Sequence, residues 1–186
     1  TRSNIGFVRK LFELEIPEVA NGDIVIKNIA RDPGNRTKVA VYTSKQNIDP
    51  IGTCVGFHGQ RIDTIISELN GEKIDLIEYT DDPLEYIARA LSPAKVLSVE
   101  TNESLKASRV IVPDDKLSLA IGKNGQNVRL AARLTGWKIE VKSESSVSAQ
   151  NTKEPEYELT ELNDDAFEDL GDLEELEDLT PIDDEE

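Results

Sequence analysis

Two short stretches bracketed by glycines hold the residues of this chain that are best suited to binding a ligand. Residues 56–59 are Gly-Phe-His-Gly and residues 122–125 are Gly-Lys-Asn-Gly, and each stretch is followed by Gln. Glycine permits positive φ and lets a ligand approach the backbone closely. Where such a turn opens a helix, its backbone N–H groups and the helix dipole favour a negative charge. Both stretches are therefore predicted to bind phosphate groups.

The two stretches differ in the side chains that accompany them. Lys123 lies within the second, and Arg129 and Arg133 follow it four residues apart on one predicted helix face. This arrangement predicts a basic strip beside the phosphate site, although an ordinary solvated helix face would have the same pattern. The first stretch instead carries Phe57 and His58. His58 is interpreted as a phosphate donor, a base-stacking residue or an exposed loop residue, and Phe57 as a ligand contact or a residue buried between two domains.

An internal repeat supplies the elements that position both stretches. After each one, apolar residues spaced three and four apart predict a helix, and the sequence Leu-x-Gly-x-Lys-Ile then leads into a strand. Before each one, the sequence predicts a helix, two strands and a short helix, which gives the order α-β-β-α-α-β in both copies. The two strands before each stretch are predicted at 24–30 and 37–42 in the first copy, and at 94–100 and 109–112 in the second.

A Gly-x-x-Gly turn in this setting is typical of the KH fold, in which the loop clamps about four nucleotides of single-stranded RNA. One such turn occurs by chance in many proteins, but two copies in matching contexts form a specific signal. The sequence therefore predicts an α+β chain with two tandem KH domains, residues 1–80 and 81–143. The RNA bases are expected in a groove between the helices of the loop and the strand edge.

Charge is distributed unevenly along the chain. The formal net charge is -16, which by itself argues against nucleic-acid binding, but residues 144–186 hold 18 acidic residues and one lysine. The body is therefore nearly neutral. Residues 143–151 are interpreted as a Ser-rich linker, and residues 144–186 as a disordered acidic tail. This tail is interpreted as inert, as a competitor of RNA for the basic surface, or as a segment that folds on a protein partner through Phe167 and the leucines after it.

Composition and motifs exclude several other classes of protein. One cysteine and one histidine cannot form a Cys/His zinc site or an intrachain disulfide, so no metal or cofactor is expected. No Ser/His/Asp set and no Gly-x-x-x-x-Gly-Lys-Ser/Thr sequence is present, so the chain is not expected to be an enzyme. No apolar run approaches the roughly 18 residues that span a bilayer, and a cytoplasmic location is expected. Cys54 and Trp137 are interpreted as core residues.

The residues resemble a known family. The run 119–139 resembles the second KH domain of the NusA family of bacterial transcription elongation and termination factors, and residues 7–19 and 49–61 resemble the first. The resemblance extends over residues 3–143. It implies type II (prokaryotic) KH domains that pack rigidly together into one extended RNA surface. It also implies binding of nascent RNA and modulation of pausing, termination and antitermination.

In that family a polymerase-binding domain and an OB-fold domain precede the KH pair, and the start at Thr1 is interpreted as that of a fragment. The expected partners are the nascent transcript and, through the full-length protein, RNA polymerase and other elongation factors. The chain itself is expected to be a monomer. The alternative function is a protein-interaction scaffold whose KH folds have lost RNA binding. The residues predicted to contact RNA are Gly56, Phe57, His58, Gly59, Gln60, Arg61, Gly122, Lys123, Asn124, Gly125, Gln126, Asn127, Arg129 and Arg133.

Overall fold

The structure is a computed structural model that describes residues 2–150. Of the predicted acidic tail, only the start, 144–150, falls in this part, and the rest lies outside the described residues. The described residues belong to one compact unit that contains two similar halves. None of the helices described in this unit has the length and apolar character needed to cross a bilayer.

The first half is an α+β domain built on a three-stranded sheet. The strands lie in the order β1-β2-β3, with β1 and β2 antiparallel and β2 and β3 parallel. The parallel pairing follows from the two helices that carry the chain from β2 back to the start of β3. Its elements are α1 (Ile5–Glu15), α2 (Pro17–Ala20), β1 (Val25–Asp32), β2 (Arg36–Tyr42), α3 (Pro50–Val55), α4 (Gln60–Glu68) and β3 (Lys73–Glu78).

The second half repeats this arrangement, with a sheet of order β4-β5-β6 and the same antiparallel and parallel pairings. The predicted α-β-β-α-α-β order is therefore confirmed in both halves. The elements are α5 (Pro83–Ala90), β4 (Ser98–Asn102), β5 (Ala107–Val112), α6 (Leu117–Ile121), α7 (Gln126–Thr135), β6 (Lys138–Ser143) and α8 (Glu144–Gln150).

Two predictions about local structure were wrong. The strand predicted at 94–100 begins only at Ser98, because Ala94 is buried in the turn after α5 and not in a sheet. The linker predicted at 143–151 contains α8, whose start is held to the second half by a hydrogen bond from the Ser145 amide to Asp114 Oδ1 (3.0 Å). A Ser-rich composition did not reveal this anchoring contact.

Side-chain caps start three of the helices where the sequence places an Asn or Asp. Asn4, Asp49 and Asp82 each accept a hydrogen bond from the backbone amide two residues later. Such a bond satisfies one of the N–H groups that a helix leaves unpaired at its start. Pro50 and Pro83 occupy the first turns of α3 and α5, where the fixed φ of proline suits a helix and no N–H is needed. The starts of α3 and α5 are therefore fixed locally.

The two halves share one hydrophobic core across their junction. The central strand β2 is buried on both faces, from Thr37 to Val41. Val39 and Val41 face the core of the first half, whereas Ala40 belongs with Ala30 and Ile77 to the cluster that the second half forms. Helix α7 packs against β1 and β2 at this point. The small alanine side chains leave room for a helix to lie against the sheet.

Polar contacts fix the register of the junction. Asn28 Nδ2 donates to the Leu134 carbonyl (2.7 Å), and Gln126 Nε2 donates to Asp32 Oδ2 (2.7 Å). The buried Lys38 ammonium donates across the junction to the Ser92 carbonyl (2.8 Å). Because these bonds join α7 and the turn after α5 to the first sheet, they set the position of the second glycine loop relative to the first half.

Candidate nucleic-acid interface

The two Gly-x-x-Gly loops have nearly the same backbone conformation. Gly56 and Gly122 have φ/ψ of 78/176° and 77/170°, which places both in a region that is essentially restricted to glycine. The third residue of each loop, His58 or Asn124, has positive φ (49° and 54°). A hydrogen bond from the amide of the last glycine to the carbonyl of the first closes each loop (3.1 Å in both). Similar sequence spacing therefore produces the same turn twice.

Close packing beneath the first glycine explains why a side chain is excluded there. A Cβ added at Gly56 would lie 2.7 Å from Arg61 Cγ, and one at Gly122 would lie 2.8 Å from the backbone N of Asn127. The first contact involves a flexible side chain, whereas the second involves backbone. The second loop is therefore the more tightly constrained of the two.

Each loop opens directly onto a helix whose first turn has no side-chain cap. Helix α4 starts after Gly59 and α7 after Gly125, and neither N-cap glycine offers a capping hydrogen bond. The Gln60 and Gln126 amides at the starts of these helices donate to the carbonyls of Phe57 and Lys123 within the preceding turn. Each loop therefore offers a phosphate chiefly the positive end of the helix dipole and a backbone that can be approached closely at its glycines.

A groove of about 720 Å³ lies beside the second loop and is shared by the two halves. The second half contributes Lys123 and Arg129, and the first half contributes Lys73 at the start of β3. All three side chains belong to exposed residues, and within residues 2–150 none of them forms an ion pair. Three cations without ion pairs, against the single carboxylate of Asp32 in the same lining, favour a polyanion.

A buried ion pair holds the β1–β2 turn that forms the far wall of this groove. The Arg31 guanidinium donates to both carboxylate oxygens of Glu72 (2.8 and 3.0 Å), and Glu72 also accepts from the Thr37 hydroxyl and the Gly34 amide. Burial alone would raise the pKa of Glu72, but the hydrogen bonds from Arg31, Thr37 and Gly34 outweigh it and leave the pKa lowered. Glu72 therefore stays ionised and keeps the turn in place.

Another charged cluster keeps Arg36, on the same wall, in one position. Asp75 accepts from Arg36 Nε and Nη2 (2.7 and 2.9 Å) and from Lys38 Nζ (3.0 Å). Burial acts to raise the pKa of Asp75, whereas these two cations lower it by more. Arg36 is thus held by a carboxylate that it shares with Lys38, whereas the three unpaired cations of the groove have one carboxylate, Asp32, beside them in its lining.

The first loop offers aromatic surface in place of charge. The Phe57 side chain belongs to a residue that is 76% exposed, so the interpretation that it is buried between two domains was wrong. Its ring lies edge-on to that of His58, with centroids 4.1 Å apart and an interplanar angle of 72°. Arg61 is engaged elsewhere, because its Nη1 donates to Glu18 Oε2 and to the Thr53 carbonyl (2.9 Å each).

The structure also separates the predicted contact residues by accessibility. Lys123, Asn124, Arg129 and Arg133 are exposed, but Arg133 lies one turn along α7 and does not line the groove. Asn127 is only 3% exposed and its Nδ2 donates to the carbonyls of Leu91 and Ala120, so its amide supports the loop from inside. Asn127 is therefore placed as an internal residue and not, as the sequence predicted, as a surface contact.

The sequence prediction missed the contribution of the first half to the groove. Lys73, Arg36 and Asn35 line it together with the second loop, although they lie far from that loop in sequence. The only available signal was the repeated Lys-Ile pair that places Lys73 and Lys138 at equivalent positions. The two core predictions were confirmed, since Cys54 is fully buried and Trp137 is 7% exposed.

Two domain profiles match the chain side by side. The NusA-like first KH domain matches residues 2–79, and the NusA-like second KH domain matches residues 83–149. The chain belongs to the NusA family. Curated NusA relatives are similar over the same region. The transcription termination/antitermination protein NusA of Halalkalibacterium halodurans is 51% identical over 84% of this chain, and that of Bacillus subtilis is 54% identical over 78%.

The chain spans about two fifths of the length of these NusA relatives, 41% and 39% respectively. The match therefore defines the KH pair of a NusA protein and not the functions of the whole. A solved structure, described as that of APE1850, has the same fold with a TM-score of 0.54 over 73% of this chain and 95% of its own. At 22% identity this likeness concerns the fold alone.

Proposed function

We propose that this chain binds single-stranded RNA through its two Gly-x-x-Gly loops and performs no catalysis. The observation that carries the proposal is the second loop, where a glycine turn, an uncapped helix start and the unpaired cations Lys123 and Arg129 surround one groove. The positive end of the helix dipole favours a phosphate at short range, and the cations add attraction that does not depend on sequence. A scaffold without RNA binding would not need these cations free.

The same groove indicates the path of the RNA strand beyond the second loop. A nucleotide held by the second loop would have its neighbour over the β1–β2 turn of the first half, within the wall formed by Asn35 and Lys73. We include Lys73 among the phosphate contacts for this reason. Of the residues predicted from sequence, we keep the loop residues, Gln60 and Arg129 as direct contacts. We assign Arg61, Gln126 and Asn127, whose side chains are hydrogen-bonded within the protein, to support of the loops. Arg133 remains a peripheral cation on α7.

For the whole protein we propose that the bound RNA is the nascent transcript and that binding serves transcription termination and antitermination. The proposal rests on the NusA relatives, which are named transcription termination/antitermination proteins. RNA polymerase and other elongation factors would be partners of the full-length protein, in the cytoplasm, with this region acting as a monomer. None of these roles requires a metal or cofactor at the KH pair.

The first experiment compares wild type with a variant that carries Lys123→Asp and Asn124→Asp. Fluorescence anisotropy with a short unstructured RNA measures affinity, and circular dichroism checks the fold. Both side chains are exposed, so two carboxylates in the loop should repel phosphate without disturbing the core. We expect a large loss of affinity with unchanged circular dichroism. Unchanged affinity would contradict the assignment of the second loop as the clamp.

The contribution of the first half is tested separately with Lys73→Ala, and Lys138→Ala is the matched control. Both lysines are exposed, begin the last strand of their half and follow the same Leu-x-Gly-x sequence, but only Lys73 lines the groove. Loss of one phosphate contact on a single strand should reduce the log-log salt slope by about 0.7. We expect this change for Lys73→Ala alone. Equal slopes for the two variants would remove Lys73 from the RNA path.

A further inference from the structure

Phe57 occupies in the first loop the position that Lys123 occupies in the second. Both residues directly follow the first glycine of a turn with matching backbone angles, and both are exposed. Because the backbones match, the two side chains leave the loop in equivalent directions. The same point on the surface therefore presents an ammonium group in one half and a phenyl ring in the other.

The first loop has little charge with which to replace that ammonium. Arg61, the cation that follows the loop, is bound to Glu18 and to the Thr53 carbonyl, and its aliphatic carbons pack beneath Gly56. Its guanidinium is therefore already engaged within its own domain. The accessible groups of the loop are the aromatic rings of Phe57 and His58.

We infer that Phe57 is a stacking platform for one RNA base, so that the first loop holds a base where the second holds phosphates. This inference rests on the RNA binding proposed above and specifies the chemistry of its first half. The edge-on contact with His58 supports the Phe57 ring from one side, and the exposed fraction of 76% leaves much of the ring open. Every RNA base has a planar π-face that can stack, laterally offset, on such a ring, so this contact does not depend on the RNA sequence.

Base stacking and phosphate contact differ in how the RNA affinity depends on salt, and four substitutions of Phe57 distinguish them. Phe57→Ala removes the ring, Phe57→Leu keeps apolar bulk without aromaticity, and Phe57→Tyr and Phe57→Trp keep an aromatic face. Because Phe57 is exposed, none of these changes should affect folding, which circular dichroism and the urea midpoint verify. The probe is fluorescently labelled oligoadenylate, and anisotropy is measured across a salt series.

We expect Phe57→Ala and Phe57→Leu to weaken binding about 5- to 150-fold, the range for loss of one stacked base, with the salt slope unchanged. Phe57→Tyr and Phe57→Trp should bind like wild type. Lys123→Ala should instead reduce the slope by about 0.7. An oligoadenylate series with one abasic position moved along the strand provides a second criterion. At the stacked position, the abasic RNA should bind wild type and Phe57→Ala equally well.

Each other result would overturn the inference. Wild-type affinity in Phe57→Leu would show that apolar bulk suffices, and unchanged affinity in Phe57→Ala would show that no base stacks there. If Phe57→Ala has no effect while Lys123→Ala weakens binding, the inference fails but the proposed function stands. If neither change affects binding, both fail. A penalty for Phe57→Ala that is the same at every abasic position would also exclude a stacked base.

Discussion

Replacement of Gly122 by alanine should destabilise the protein much more than the same replacement at Gly125. Both glycines belong to the second loop and have positive φ, 77° and 72°. At Gly125 an added Cβ would meet nothing closer than Val128 Cγ1 at 4.0 Å. At Gly122 it would lie 2.8 Å from the backbone N of Asn127 and 2.9 Å from its Cβ. The pair therefore separates the cost of backbone conformation from the cost of a clash.

The magnitudes follow from these contacts. Gly125 has a left-handed helical conformation, in which alanine costs about 1 kcal/mol. Gly122 has ψ of 170°, a region that is essentially restricted to glycine, and a non-glycine residue there costs roughly 1–3 kcal/mol. Overlap with the first turn of α7 adds roughly 1–3 kcal/mol, because backbone must move. We expect a loss of about 1 kcal/mol for Gly125→Ala and about 3 kcal/mol or more for Gly122→Ala.

Urea denaturation followed by circular dichroism measures both variants. With a slope of about 2 kcal/mol per molar urea, the expected shifts of the midpoint are roughly 0.5 M for Gly125→Ala and 1.5 M for Gly122→Ala. Gly136→Ala is a suitable control, since Gly136 has positive φ and open space around its Cβ but lies outside the loop. Equal shifts for Gly122→Ala and Gly125→Ala would refute the argument that packing beneath the first glycine constrains the loop.

Three further predictions concern buried or interfacial groups. Glu72→Gln leaves the Arg31 guanidinium without its charge partner and should cost about 3 kcal/mol in urea denaturation near pH 7. Because the pKa of Glu72 in the folded protein lies below its ordinary value of 4.5, its contribution to stability is complete above pH 4.5 and is lost as pH falls through the folded pKa. The stability difference between wild type and Glu72→Gln should therefore shrink in acid, and a difference that persists undiminished at pH 2 would contradict this. Burial, with a smaller effect of Glu18, raises the pKa of the Cys54 thiol to about 12. A thiol reagent should therefore modify the folded protein slowly at pH 8 and quickly in urea. Rapid modification without urea would refute this prediction. Asn28→Ala removes the bond to the Leu134 carbonyl and should lower stability by about 1 kcal/mol, whereas an unchanged urea midpoint would show that this junction contact is dispensable.

Local features of the sequence were sufficient to predict the elements and the two loops. Apolar spacing defined the helices and strands of both repeats, and the glycine pairs marked turns that only glycine tolerates. These predictions succeeded because helix periodicity, capping and positive φ depend on residues that are near neighbours in the chain. The strand predicted at 94–100 was wrong at its start, because Ala94 is buried in the turn after α5 and the strand begins at Ser98.

Tertiary structure decided which of the predicted residues can meet a ligand. Arg61 and Asn127 lie next to the loops in sequence, but Glu18 pairs with the half-buried Arg61, and the carbonyls of Leu91 and Ala120 hold Asn127 inside. Lys73 reaches the second loop only because α7 packs on the first sheet. The contacts of Arg61 with Glu18 and of Asn127 with Leu91 join residues 43 and 36 positions apart, and such partners leave no local pattern in the sequence.

The sequence by itself therefore determined the KH pair, the backbone of its loops and the contrast between an aromatic first loop and a basic second one. The tertiary structure decided that the two halves share a core and that a groove lined by cations from both lies at their junction. The physical reason is that conformation at a glycine turn is set within a few residues. The position of one domain on another depends instead on the burial of both faces of β2, which alternation of side chains along one strand cannot reveal.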